Sequence, residues 1–561
     1  MSQLHGDEGL SEGTEGEVPG ARCGGARGGL PSWPVAAHGA FGPGLRYRGR
    51  GDPGGFRGGC GHGGGRSDSG DGDRGRSSPL HRPGMPLAPG EASPGPGYHP
   101  EPPGGRPHRP GSRVDPPLHP AMRGDPLPRR SPEPLVVVAG AHLGYDLREV
   151  PLGGGAAVMR ALVRRWSQQE AFPLVVLGAG PGDTWEGLEY HPIPWYLPEG
   201  QRITDFSVRA YARFSLQFGR GVLDFLRDLA RRVPPQETVV IHNDISEAAD
   251  FAAVAKLGYR QVAIFHVDVL DYVANIYLHG RIGAPSLARM WRYLGRFGRF
   301  FPLVIRLILE KQERCARHCD LLVVPSREMA DLLRREYPWL GPHRVRAVPW
   351  GALIEGVPQE EVEREKGLLV RDYLLDGSRP VLLSLSRISP EKGQDLLLRA
   401  LRLWDRREKR PLLAFICGEP AFMHGRSYMR RLLALSKGLR HVEVHFPGYV
   451  TGARKQAFFE LADLYVFPSR HESYGLTLME AMGAGLPVLT TTHRSAGELV
   501  REGWGRIVPP TPEGIYRGLR ELLGEDLASM GEAARRFAAT RPFEAAADEL
   551  ARLIRSLVAG A

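Results

Sequence analysis

Residues 463–490 read DLYVFPSRHESYGLTLMEAMGAGLPVLT. An apolar run, Leu464–Phe467, stops at Pro468, and a polar loop crosses to Gly475. A helical stretch runs from near Leu476 to Gly483, and a second apolar run opens at Leu486. Buried strand, loop, helix and buried strand make one crossover unit, and strands joined by a helical crossover lie parallel.

The same unit recurs on both sides. Downstream of residue 379 the apolar runs are RPVLLSLSR (379–387), PLLAFICG (411–418), VEVHFPG (442–448), LPVLTTT (486–492) and GRIVPP (505–510). Helical stretches fall at 393–407, 428–437 and 455–462. Upstream they are PLVVVAGAH (134–142), PLVVLGAG (173–180), TVVIHND (238–244), QVAIFHVD (261–268), DLLVVPS (320–326) and RVRAVPWG (344–351). Short apolar strands alternating with helices predict parallel sheets covered on both faces. Two successive series predict an α/β chain with two doubly wound, Rossmann-like domains facing each other across a cleft. Ligands of such sheets bind beyond the carboxyl ends of the strands, so the cleft is the expected site. The boundaries expected are 1–132 for a low-complexity tail, 133–352 and 353–540 for the two domains, and 541–561 for a last helix returning to the first domain.

The chain has 561 residues, with 72 Gly and 49 Pro. Residues 1–132 hold 33 of those Gly and 22 of the Pro, no Lys, and 16 Arg against 13 acidic residues. Such a segment buries too little apolar area to offset its ordering entropy. It reads as an Arg/Gly-rich arm for RNA or as a dispensable tail, with Met122 a candidate true start. The sparse aromatics, Tyr47 and Phe56, favour the tail, and no nucleic-acid partner is expected. A formal net charge of +10 spread over the whole chain suits an anionic ligand or headgroups better than a nucleic acid. Five cysteines, Cys23 and Cys60 among them, cannot form a disulfide scaffold and fit a reducing cytosol. Cys315 and Cys319 stand one helical turn apart, without a second ligand pair. No secretory signal is visible, and the apolar run Phe300–Leu309 is too short to span a bilayer. A cytoplasmic protein is expected. The Arg- and aromatic-rich stretch 289–317 reads as ordinary helices with a solvated Arg face, or as a peripheral contact with the inner face of a membrane.

Charged residues gather where strands end. Glu472 precedes the helix that starts near Leu476, and Glu480 lies in its first turns. A helix N-terminus attracts phosphate, and carboxylates beside it make sense if the phosphate carries hydroxylated groups on both sides. Arg387 ends one strand and Lys392 precedes Gly393 just before a helix. Two cations at such a junction can converge on one diphosphate, Arg as a fork and Lys as a point charge. Gly153, Gly154 and Gly155 open a helix and allow close approach of a phosphate. His266 ends a strand and points toward the cleft, where it can hydrogen-bond a sugar. His242, Asn243 and Asp244 end the preceding strand.

Glu472-x7-Glu480, with Gly475-Leu476 after the first Glu, Glu480-Ala481-Met482 and Gly485-Leu486-Pro487-Val488, resembles the retaining glycosyltransferases of family 4, two-domain GT-B enzymes. The resemblance spans 134–561 and is most specific over 379–510. It implies a nucleoside diphosphate sugar as co-substrate and a hexose transferred to a hydroxyl acceptor of unknown identity. The donor diphosphate would rest on Arg387, Lys392 and the backbone of Ser473, Tyr474, Gly475, Leu476 and Thr477. Glu472 and His266 would hold sugar hydroxyls, Glu480 the ribose, Val450 the surroundings of the base, and Gly154 and Gly155 the phosphate. The family's glycine loop ends in Glu, whereas Ala156 and Ala157 stand here. Residues 496–510, AGELVREGWGRIVPP, resemble a late segment whose Glu is mostly structural. No metal and no further cofactor are expected, since the Asp71-x-Asp73 pair lies in the tail. A sugar-nucleotide epimerase of the same fold is the nearest alternative. A glycoside hydrolase is disfavoured by Arg387 and Lys392, and an RNA-binding protein would rest on the tail.

Overall fold

The structure is a computed structural model that describes residues 133–146, 150, 153–182, 187–195, 206–295, 303–354, 356–420 and 425–559. The low-complexity segment, with Cys23, Cys60, Met122, Asp71 and Asp73, lies outside the described residues, as do residues 300–302 at the start of the apolar run. The described residues all fall within one compact unit.

Seven strands make the first sheet: β1 (Leu135–Ala139), β2 (Leu174–Gly178), β3 (Glu189–Pro192), β4 (Thr238–His242), β5 (Arg260–Ile264), β6 (Leu321–Val324) and β7 (Val345–Ala347). Their order is β3-β2-β1-β4-β5-β6-β7, all parallel. Along β1, Val136 and Val138 enter one core while Val137 and Ala139 enter another. That division is why the strand is apolar throughout instead of alternating. Six more strands form the second sheet: β8 (Val381–Leu385), β9 (Leu412–Cys417), β10 (Val442–Gly448), β11 (Leu464–Phe467), β12 (Val488–Thr491) and β13 (Gly505–Val508). They run parallel in the order β10-β9-β8-β11-β12-β13. Chain direction across each sheet reverses once, between β1 and β4 and between β8 and β11. Connections diverge to opposite faces there, leaving a crevice at the carboxyl ends.

The α/β pattern is the expected one, with one omission. β3 has the sequence EYHP and pairs only with β2. None of its four residues is fully buried, so no apolar run announces it. Helix starts also move: the helix expected from residue 455 spans Gly452–Leu461, and the one expected from 428 spans Gly425–Ser436. Their first turns are polar or small, which hides them from hydrophobic periodicity.

The chain leaves the first sheet through Gly351, whose φ is +72° and where a Cβ would lie 2.1 Å from the Arg541 carbonyl oxygen. Ala352 and Pro542 bridge as neighbouring strands there, and the helix Phe543–Ala559 continues back onto the first domain. Trp166 Nε1 donates to the Ala547 carbonyl at 3.2 Å, Arg165 forks onto Asp548, and Arg555 meets Glu133 at 2.8 Å. Leu550 and Ile554 are fully buried, each contributing about 1.5–3 kcal/mol of burial.

Gly393 joins the two strands at the second reversal. It has φ +69°, and a Cβ at this position would stand 1.9 Å from the Pro468 carbonyl oxygen at the end of β11. Left-handed backbone costs an L-residue roughly 1–2 kcal/mol before any clash. Gly393→Ala is therefore expected to lose more than about 2 kcal/mol of stability, measured by denaturant unfolding. A loss near zero would mean the loop does not need this approach.

Candidate active site between the two sheets

The second sheet supplies one wall. Beyond β8 the backbone at Arg387 is pinned by Gln394, whose Nε2 donates to Ser386 Oγ at 2.9 Å and to the Arg387 carbonyl at 2.8 Å. Lys392 ends the short turn Pro390–Lys392 and places Nζ 2.5 Å from Glu472 Oε2. Phe467 lies beneath it, with the ring centroid 5.8 Å from Nζ, a favourable face for a cation. Burial alone would raise the Glu472 carboxyl, but the ammonium of Lys392, aided by His493 and His471, holds it down at about 2. Lys392 and Glu472, assigned to different ligand groups on sequence grounds, thus bond directly to each other. Opposite charges this poorly solvated attract strongly, and the pairing keeps Glu472 an ionised acceptor.

The helix Leu476–Gly483 follows Gly475, which has φ +96°. Glycine offers no side chain to cap the first N–H groups, so these remain available to an acceptor from outside. Ser473 N donates to Glu472 Oε1 at 3.2 Å. Thr477 and Tyr474 turn their hydroxyls inward: Thr477 Oγ1 meets Tyr465 Oη at 2.8 Å, and Tyr474 Oη accepts from Gly351 N at 2.7 Å. Glu480 Oε1 stands 3.6 Å from Lys455 Nζ, and Val450 is buried.

The first sheet supplies the facing wall. A Cβ at Gly155 would lie 2.7 Å from His266 Cδ2, one at Gly154 2.7 Å from Leu476 Cδ1, and one at Gly153 3.9 Å from Arg387 Nη1. The glycine turn therefore approaches His266 on its own domain and Leu476 and Arg387 of the other. His266 Nε2 is 2.9 Å from Asn243 Oδ1; with the amide oxygen as acceptor, Nε2 carries the proton. Burial, with His142 nearby, lowers His266 to about 4, so the ring is neutral at physiological pH and Nδ1 is left to accept.

Of the three residues ending β4, His242 faces the core, 3.1 Å from Gln261 Oε1, and does not share the crevice. Asn243 orients His266. Asp244 is raised by burial against the opposing charges of Lys311 and Arg387. Beside it, Lys311 Nζ donates to the Ser246 and Ala248 carbonyls at 2.6 and 2.9 Å, and Tyr211 Oη donates to Glu247.

Three histidines at the site have no counterpart in the sequence reading. His142 follows β1, lowered to about 4 by burial and then by Arg387. It carries the same signal as His266, a histidine at a strand's carboxyl end. His493 bonds Thr490 Oγ1 at 2.9 Å and is lowered to about 4 by burial. His471 reaches across to Asp271. His493 carries that signal too, following the strand Val488–Thr491, whereas no local pattern marks His471, whose partner lies 200 residues away.

The late segment 496–510 closes the rear. Glu498 accepts from the N–H groups of Arg327 and Glu328 at 3.2 and 2.9 Å, capping a first-domain helix from the second domain. In the 289–317 stretch, Trp291, Leu309 and Cys315 are buried, while Arg314 and Arg317 pair with Glu310 and Glu313. Cys315 and Cys319 Sγ lie 3.7 Å apart. Among the described residues, no helix is long and apolar enough to cross a membrane.

Residues 366–537 match the family described as glycosyl transferases group 1. The matched residues contain all six strands of the second sheet. Among curated relatives, the chain is 32% identical over 174 residues to the GDP-mannose-dependent alpha-(1-6)-phosphatidylinositol monomannoside mannosyltransferase of Mycolicibacterium smegmatis, covering 29% of this chain and 44% of the relative. To the D-inositol 3-phosphate glycosyltransferase of Corynebacterium glutamicum it is 28% identical over 263 residues, covering 44% and 60%. The chain thus matches less than two thirds of these group 1 relatives' length. In structure it resembles sucrose-phosphate synthase from Thermosynechococcus elongatus, with a TM-score of 0.56 and 17% identity over 76% of this chain and 100% of that one. The fold is GT-B.

A carboxyl held at about 2 against an ordinary 4.5 corresponds to roughly 3 kcal/mol of native stability. The folded value is the lower one, so the contribution is present above pH 4.5 and is lost as pH falls through 2. Glu472→Gln should be less stable than the parent at neutral pH by a margin of that order, and the gap should close between pH 4.5 and 2 in unfolding measurements.

Proposed function

We propose that the protein is a retaining glycosyltransferase that moves a hexose from a nucleoside diphosphate sugar to an acceptor hydroxyl. Residues 353–540 hold the donor and 133–352 the acceptor. What carries this reading is the meeting of Arg387, the Lys392–Glu472 pair and the start of the Leu476 helix with the Gly153–Gly155 turn and His266 in one interdomain crevice. The GDP-mannose dependence in the name of one curated relative supports a sugar-nucleotide donor, while the names of the two relatives carry different acceptors.

As the bond from the anomeric carbon to the donor oxygen breaks, its electron pair passes to the leaving diphosphate. Arg387, Lys392 and the N–H groups at Gly475 and Leu476 meet that growing charge. The acceptor oxygen bonds to the anomeric carbon on the face the diphosphate leaves, and the acceptor proton passes to the departing phosphate oxygen. Same-face attack retains configuration without a covalent enzyme intermediate. Glu472, ionised throughout, accepts from sugar hydroxyls; neutral His266 offers Nδ1 to another; Glu480 accepts from the ribose. The two cations provide the charge compensation that a divalent ion supplies in other transferases, and turnover is expected to persist in EDTA.

The test begins with thermal shifts in UDP-, GDP- and ADP-sugars, where a ligand at about 100 times its dissociation constant adds about 2.7 kcal/mol. Release of nucleoside diphosphate with candidate acceptors follows. Arg387→Ala should slow release by roughly 100- to 1,000-fold, as removal of a preorganised charge-stabilising donor does. Glu480→Ala should weaken donor use by roughly 10- to 100-fold through lost charged hydrogen bonds. Unchanged release in both variants would overturn the assignment.

A further inference from the structure

One carboxylate of the first domain is bonded to two loops of the second. Asp271 lies on the short helix Val269–Tyr272 that follows β5, five residues beyond His266. It is 2% exposed and its two oxygens accept four hydrogen bonds. His471 Nε2 reaches Oδ2 at 3.1 Å. Arg494 forks onto both oxygens, Nε to Oδ2 at 3.1 Å and Nη2 to Oδ1 at 2.5 Å. Asn275 Nδ2 donates to Oδ1 at 2.9 Å. The edge of the Tyr272–His471 ring pair, with centroids 5.4 Å apart, packs beside them. On its own side the seat is rigid, because Asp271 N donates to Asp268 Oδ1 at 3.0 Å and Gln312 holds the same oxygen at 3.1 Å.

The two second-domain partners adjoin the donor wall. His471 immediately precedes Glu472, and its carbonyl accepts from Ser469 Oγ at 2.8 Å. Arg494 immediately follows His493, next to Ser495, whose Oγ donates to the Tyr474 carbonyl at 2.6 Å. Every bond in the cluster except that from Asn275 crosses between domains. A bidentate Arg–carboxylate pair tolerates little change in distance or angle, so the cluster exists only when the crevice walls stand at this separation.

We propose that Asp271 is a positioning residue that ties closure of the two domains to the placement of Glu472, acting through His471 and Arg494. It does not itself touch the donor. With it bonded, the walls that carry His266 and Glu472 are held together; without it, the donor still binds the second domain but the walls are held less firmly. This rests on the glycosyl-transfer reading above for its kinetic consequence, not for its structural one.

The experiment uses the full chain with Asp271→Asn, which keeps the shape and removes the charge, Arg494→Gln, which is altered from the solvent side, and the double variant. Hydrogen–deuterium exchange should rise several-fold at the amides of 469–475 and 492–495, with the cores of both sheets unchanged. For whichever sugar nucleotide the parent turns over, kcat should fall at least tenfold while binding of UDP, GDP or ADP changes less than twofold. The double variant should lose no more than the worse single one, since all three remove one shared device. Unchanged exchange in both loops, additive losses, or a matching loss of nucleotide binding would each overturn the proposal. If the parent turns over no sugar nucleotide at all, the transfer reading fails and the exchange result still decides the clamp.

Discussion

Two opposite charges held 2.5 Å apart where the second sheet reverses direction organise the rest of the site. Lys392 comes from the loop after β8 and Glu472 from the loop after β11, so the pair spans the junction where connections part to opposite faces. Water is scarce there, and an unpaired charge of either sign would be expensive. Paired, they keep a carboxylate ionised and an ammonium in place beside an uncapped helix start. Gly393 makes this possible by bringing one loop onto the carbonyl that ends the other strand.

Across the crevice the electrostatics are quieter. His142 and His266 are desolvated and neutral, so the first domain offers oriented hydrogen bonds while most of the positive charge lies on the second. That division suits a ligand whose charged part sits on one wall and whose hydroxyls reach the other. Glycine is what lets the walls meet: at positions 154 and 155 any side chain would strike Leu476 or His266. The glycine turn therefore serves contact between the domains. The same economy of space appears at Gly351, where the chain crosses over and Arg541 leads the last helix back.

Much of this was legible in the residues. Apolar runs separated by helical stretches marked twelve of the strands, and only EYHP at β3 escaped, because none of its four residues is fully buried. Arg387 and Lys392 stood out as two cations at one strand–loop–helix junction, and Glu472 and Glu480 by the Glu-x7-Glu resemblance to family 4 around a helix start. The inward turn of Thr477 and Tyr474 was not legible. A hydroxyl's direction depends on what lies beneath it, here Tyr465 and Gly351. His242 misled for the same reason: it ends a strand as His266 does, yet Gln261 draws it into the core.

By itself the sequence determined the alternation of elements, the two parallel sheets and the loops in which charge would collect, because periodicity and turn chemistry are local properties of the chain. Only the tertiary structure decided which charges pair, which hydroxyls face inward, and that Asp271, His471 and Arg494 form one cluster. Those partners are some 200 residues apart in sequence, and electrostatic energy depends on distance and burial in space, which no window of residues contains.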